Sequence, residues 1–189
     1  AAVLSPWMIR NLTRFDEPVL VSNGSGILVA QTNCDATYYG DKQGYWEYLC
    51  GLPQPVGAHG EPLDESGRDA EYRKRGLDYA SGHWPRLVVH AIPKRVGRLW
   101  GVYAPIQQLR ADKLVEGRAF KLSVLALVQY WFLLPLAGMG VLTLRRSGQP
   151  LLPLLAWPLV ATVVAALTMG ATRYRVPAEV ALVLLAAVS

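Results

Sequence analysis

The run 122–144 holds 23 residues and not one charge. At about 1.5 Å per helical residue it reaches across a hydrocarbon core about 30 Å thick. The rest of the chain is sorted around it. Of 33 charged residues, 28 lie at or before Lys121, and only Arg145, Arg146, Arg173, Arg175 and Glu179 follow. A single soluble domain does not partition its charges this way. The average hydrophobic content of 52% is therefore the mean of two unlike parts, and it is too high for a disordered chain.

A second uncharged run covers 151–170, where Pro153 and Pro158 bend or delay the first turns. Gln129 and Pro135 interrupt the first run, which membrane helices tolerate when neighbours satisfy the freed backbone. A third run, 176–189, contains Glu179 and has 14 residues, too few to span, so it reads as a spanning helix cut short. At the other end, 1–9 is an apolar stub with Trp7 where an interfacial indole belongs, and it lacks the basic start of a signal peptide.

The expected fold class is an α-helical transmembrane bundle carrying a small extracytoplasmic α/β (α+β) domain. In order, the chain reads as the end of a transmembrane helix at 1–9, the extracytoplasmic domain at 10–120, and a transmembrane helix at 121–144. A cytoplasmic loop at 145–150 follows, then a transmembrane helix at 151–171, an extracytoplasmic loop at 172–177 and a truncated transmembrane helix at 178–189. Both ends read as broken inside a helix.

The orientation rests on two features. Arg145 and Arg146 stand in a short loop without an acid, which marks it as cytoplasmic. Cys34 and Cys50 are the only cysteines and both fall in the segment placed outside, where a disulfide between them is expected. The alternative is two unrelated buried thiols. A metal site is disfavoured by the spacing and by the lack of a neighbouring histidine, and His59, His83 and His90 are not spaced as ligands. The reading is a multi-pass protein of the plasma membrane.

Within 10–120, the runs 19–22 and 27–30 read as strands, with Asn23-Gly24-Ser25-Gly26 as their hairpin. Tyr38, Tyr39, Tyr45 and Trp46 suit stacking on a sugar or acceptor, and equally suit the small core of a disulfide-clipped loop. Ser66 and Asp69 have capping-box spacing and are expected to open a helix with apolar face Leu77, Ala80 and Trp84. Glu71, Arg73, Lys74 and Arg75 form its solvated face. From Pro85 onward, apolar positions alternate with Arg86, Lys94, Arg95 and Arg98. That pattern fits a basic amphipathic helix on the bilayer surface or one packed on its own domain.

No phosphate-binding loop, dinucleotide fingerprint, nucleophile elbow or metalloprotease motif is present. The net charge of +5 does not point to nucleic acid, because 15 basic and 13 acidic residues nearly balance before position 122. One cluster carries more: Arg173-Tyr174-Arg175, with Glu179 a turn further on. Guanidinium groups at headgroup depth suit a phosphate, which they hold bidentately. Snorkelling to ordinary phospholipid is the alternative.

Several segments, in order, resemble C-type glycosyltransferases of the protein-mannosyltransferase-like superfamily. They are Pro6-Trp7-Met8-Ile9-Arg10-Asn11-Leu12 with Pro18-Val19 and Ser22-Asn23-Gly24, then Asn33-Cys34-Asp35-Ala36-Thr37-Tyr38-Tyr39-Gly40 with Gly44-Tyr45-Trp46 and Cys50. Arg95-Val96-Gly97-Arg98-Leu99-Trp100-Gly101-Val102-Tyr103 and Arg173-Tyr174-Arg175-Val176-Pro177-Ala178-Glu179 complete the set, which looks like the actinobacterial branch.

The resemblance implies a polyprenyl-phosphate-linked sugar as donor and transfer on the outer membrane face to a cell-envelope acceptor. The chain then corresponds to the C-terminal portion of such an enzyme. In the family the catalytic base is an aspartate of the first external loop, upstream of that portion, so no residue here inherits the role. The partners implied are membrane lipid, the lipid-linked sugar and the rest of the same polypeptide. No cofactor is identifiable; a divalent metal stays open, with no residue pattern here to support it. On this reading Arg173, Tyr174, Arg175 and Glu179 are candidates for the lipid phosphate, and Tyr38, Tyr39, Tyr45 and Trp46 for the acceptor or sugar. The alternatives are a non-enzymatic envelope protein anchored by its helices, and a transporter piece using Arg173, Arg175 and Glu179 as a pathway.

Overall fold

Where a hairpin is expected, the chain starts a helix. The computed structural model describes residues 3–189, is 71% helical, and has no strand among the described residues; only an isolated bridge joins Val56 and Pro62. The expected α/β character of 10–120 is thus corrected to helical. Two compact units divide between Ala91 and Ile92. The apolar end expected at 1–9 falls partly on residues 1 and 2, outside the described residues; Ser5–Arg14 forms α1.

In the first unit, α2 is Ser25–Thr32, α3 is Asp35–Tyr38, α4 is Glu65–Gly82 and α5 is Trp84–Arg86, followed by a π turn at Leu87–Ala91. The run 27–30 is helical because its N-terminus has a buried acceptor. Gly24 takes φ +105° at the N-cap, a left-handed conformation that glycine adopts freely. The Asp69 carboxylate then accepts the backbone N–H groups of Gly24 at 3.0 Å and Gly26 at 2.6 Å. These are groups that a helix leaves without an internal partner. Residues 19–22 stay irregular, with Val19 buried and Leu20 and Val21 exposed.

The helix α2 lies close on α4. A Cβ on Gly26 would sit 1.8 Å from the Asp69 carbonyl oxygen, and one on Gly76 would sit 2.5 Å from that of Val29. The expected start of α4 shifts by one cap. Asp64 is the N-cap, accepting Gly67 N–H at 2.7 Å, while Ser66 and Asp69 sit inside the helix and are buried. That bond is the main reason the Asp64 carboxyl is held below the usual carboxylate range. The apolar face is corrected as well: Tyr72, Gly76 and Ala80 are buried, whereas Leu77 and Trp84 are exposed.

Cys34 and Cys50 form the expected disulfide, with Cα atoms 6.3 Å apart. It ties α3 to the 3-10 turn Tyr48–Gly51. Replacing both cysteines by serine is expected to cost the first unit roughly 3 kcal/mol in the chain-entropy account of a loop this size. Thermal unfolding of the oxidised chain and of the double variant reads this out; equal midpoints would contradict it.

In the second unit, α6 is Ile92–Leu99, α7 is Pro105–Glu116, α8 is Phe120–Arg146, α9 is Leu152–Leu167 and α10 is Val176–Ala187. Helix α10 packs against both α8 and α9, and α6 packs against α9. The contacts run through small residues. Ala137, Ala161, Ala165, Ala178 and Ala181 are buried, and a Cβ on Gly140 would sit 1.8 Å from the Leu185 carbonyl oxygen. Leu127, Tyr130, Leu182 and Leu185 join them inside, while Phe132, Leu142, Leu159, Leu167, Val180 and Leu184 are exposed.

Among the described residues one helix, α8, is long and apolar enough to cross a membrane. Its 27 residues measure about 40 Å. It passes Pro135 without a break and includes Arg145 and Arg146 in its last turn. The span expected at 151–171 is shorter than predicted. Helix α9 has 16 residues and ends at Leu167, because Thr168 leaves the helical region and Gly170 is pressed against α6, its Cβ direction 2.2 Å from the Arg95 carbonyl oxygen. Arg95 and Arg98, read as part of a polar face, are buried at 2% exposure. Arg95 donates to the Ala166 carbonyl at 3.2 Å, next to the C-terminus of α9, where a cation is favoured.

Candidate functional site

The site is assembled on the 3-10 turn Thr172–Arg175, which leads into α10. Pro177 stands in the first turn of α10, where its fixed φ suits a helix start and its missing N–H costs nothing. The turn is pinned from α7. Thr172 donates to Asp112 at 2.8 Å, and Gln108 donates to the other oxygen of the same carboxylate at 2.8 Å. Gln108 and Asp112 are buried.

This geometry drives Arg175 inward, where it is 7% exposed. Its Nε donates to Glu179 Oε1 at 2.7 Å, and its Nη1 donates to the Leu99 carbonyl at 3.3 Å, at the end of α6. The guanidinium carbon lies 3.5 Å from the centre of the Tyr130 ring on α8. Three helices thus orient one cation.

Beside Arg175 opens a cavity of about 530 Å³. Its long wall is a stripe at helical spacing along α8 and its N-cap: Ala119, Leu122, Ala126, Tyr130 and Leu133. Ala119 to Leu133 spans about 21 Å. Val176, Glu179 and Val183, one face of α10, form the opposite wall. Arg118 and Thr172 add polar groups to the lining, and Arg175 enters it against Tyr130, one turn from Leu133, with Leu133 and Val183 apolar beside it. An elongated groove of this polarity accommodates an amphiphile with an anionic head.

Of the four residues expected to serve a phosphate, Arg175 and Glu179 line the cavity. Arg173 is half exposed and reaches Glu116 Oε1 at 3.5 Å, while Arg118 Nε holds the other oxygen of Glu116 at 2.6 Å. Tyr174 turns toward the small cluster of Leu99, Ala161, Ala165 and Ala178. Sequence reasoning missed Arg118, Glu116 and Tyr130. Arg118 precedes the charge-free run by only a few positions, and Tyr130 is a polar group in mid-span; both signals were legible.

The aromatic candidates lie in the first unit. Tyr38 and Tyr45 are core residues at 1% and 5% exposure, and the Tyr38 hydroxyl donates to Asn33 Oδ1 at 2.8 Å. Tyr39 is exposed, with the Arg86 guanidinium 4.1 Å from its ring centre; Trp46 is half-buried and tilted against Tyr45. Next to them, Tyr79 stacks on His83 with ring centres 4.1 Å apart and donates to Asp35 at 2.6 Å. Burial, then this bond, pushes the Tyr79 phenol above its ordinary value, so it stays a donor at neutral pH.

Among the described residues no three His, Cys, Asp or Glu side chains cluster to hold a metal. No family model, curated protein or solved structure matches the chain.

Proposed function

We propose that this chain is part of a multi-pass membrane glycosyltransferase of the C type, which transfers a sugar from a polyprenyl-phosphate donor to an envelope acceptor. The α8–α10 groove holds the lipid phosphate. The observation that supports this most is the groove itself: a buried arginine, stacked on Tyr130, in a cavity lined largely by apolar side chains of two helices. The charged groups that line the cavity are Arg118, Arg175 and Glu179, two cations to one carboxylate. The outward-facing Leu, Val and Phe side chains of α8, α9 and α10 support burial of these helices in lipid. The disulfide supports an extracytoplasmic placement of the first unit. Acceptor contact falls to Tyr39 and Trp46, since Tyr38 and Tyr45 are buried.

The test is crosslinking in nanodiscs with a polyprenyl phosphate carrying a diazirine in its first isoprene unit. Adducts are expected on the facing stripes of α8 and α10, displaced by unlabelled polyprenyl phosphate and not by polyprenol. Adducts spread over the outer residues Phe132, Met139 and Leu142, insensitive to competitor, would overturn the reading.

A further inference from the structure

Resting on that reading, we infer that Tyr130 is a binding residue whose hydroxyl donates to an anionic oxygen of the ligand in the α8–α10 groove. Tyr130 is 4% exposed and lines the cavity. Its hydroxyl is buried and has no hydrogen-bond partner among the described residues. Buried polar side-chain atoms almost always have a partner, and leaving one without carries a desolvation penalty. A phenylalanine would fill the same space between α8 and α10 without that penalty.

The groups already in place say what acceptor is missing. The Tyr130 ring lies against the Arg175 guanidinium, so the partner of the hydroxyl shares its neighbourhood with a fixed cation. Glu179 and the Leu99 carbonyl take two of the arginine's N–H directions, Nε and Nη1. The remaining guanidinium N–H groups and the tyrosine O–H are further donors. An oxyanion with several oxygens on one centre, a phosphate ester, accepts both. A neutral alcohol or a hydrocarbon chain does not. The apolar side chains of Leu133 and Val183, which line the same cavity, then receive the chain that the ester carries.

The experiment compares wild type with Tyr130→Phe, full chain, in nanodiscs of zwitterionic lipid. Without ligand, the variant is expected to unfold at the same or a higher temperature, because it buries no orphan hydroxyl. With polyprenyl phosphate, its affinity is expected to fall about 5- to 20-fold, the loss of one hydrogen bond to a charged group. Affinity for polyprenol is expected not to change. A lower unfolding temperature without ligand, or equal affinity for the phosphate, overturns the role of Tyr130.

The arms separate this inference from the functional reading beneath it. Wild type that binds polyprenyl phosphate no better than polyprenol defeats the functional reading and, with it, the role of Tyr130. Wild type that prefers the phosphate while Tyr130→Phe matches it defeats only the role of Tyr130. Phosphatidic acid and inorganic phosphate serve as further ligands. A Tyr130→Phe loss seen equally with phosphatidic acid supports the hydroxyl–phosphate bond and assigns the groove to ordinary anionic lipid. A loss seen with inorganic phosphate alone contradicts the amphiphile.

Discussion

Asp69→Ala is expected to release α2 from α4 and to cost the first unit about 4 kcal/mol, a large part of the about 5–15 kcal/mol that holds a domain folded. The Asp69 side chain is 6% exposed and serves four partners at once, the Ser25 hydroxyl at 3.4 Å among them. It accepts the Gly24 and Gly26 N–H groups at the start of α2, and it pairs with Arg73 at 2.6 Å, one turn along α4. Charge-assisted bonds are roughly twice as strong as neutral ones, and a carboxylate at a helix N-terminus also meets the positive end of the helix dipole. Alanine removes all of this and leaves buried donors unsatisfied. Asp69→Asn keeps an acceptor but loses the charge, so about half of the loss is expected. Gly26→Ala is expected to act at the same place by steric means, since its Cβ has no room against the Asp69 backbone. Hydrogen exchange of the full chain reads the outcome directly. Amides of α2 should lose protection in Asp69→Ala, and unchanged protection there would contradict the assignment.

Arg175→Ala is expected to abolish binding of polyprenyl phosphate, a loss of at least about 100-fold, and to loosen the contact of the Thr172–Arg175 turn with α6. The reason is burial. Arg175 holds Glu179 and the Leu99 carbonyl from a position stacked on Tyr130, so removing it takes out the cation and frees both partners. Arg175→Lys is expected to lose about 10-fold or more, because a single ammonium cannot meet two acceptors and a ring in one plane. Arg173→Ala provides the contrast. Its side chain is 45% exposed and its carboxylate partner is shared with Arg118, so a change of about threefold or less is expected. Titration of each variant in nanodiscs decides the matter. If Arg173→Ala and Arg175→Ala lose affinity equally, the phosphate sits outside, among the exposed arginines, rather than in the groove.

The run 27–30 shows where local pattern stops. Ile27-Leu28-Val29-Ala30 is short, apolar and partly β-branched, and either helix or strand satisfies such a run. The decision was made 43 residues away in sequence, by a buried Asp69 that meets helical N–H groups. The same holds for α4. Its two cap-like residues, Ser66 and Asp69, have the right spacing, yet Asp64 takes the cap and releases Asp69 for α2. In the second unit Arg95 and Arg98 look like the polar face of an amphipathic helix. They are instead buried, Arg95 against the end of α9, because a guanidinium can satisfy helix carbonyls that have no other donor.

Local composition alone determined the long apolar helix α8, the pairing of the only two cysteines, and Arg175 with Glu179 as a charged pair beside the membrane-like runs. Each depends on residues close in sequence or on a unique choice of partner. Tertiary structure alone decided the helical character of the first unit, the inward turn of Arg175, and the face of α8 that meets α10. Those follow from close backbone approach at Gly26, Gly76 and Gly140 and from buried carboxylates reaching distant N–H and O–H groups. Such contacts join residues tens of positions apart, and no local pattern encodes which of several buried acceptors a helix end will find.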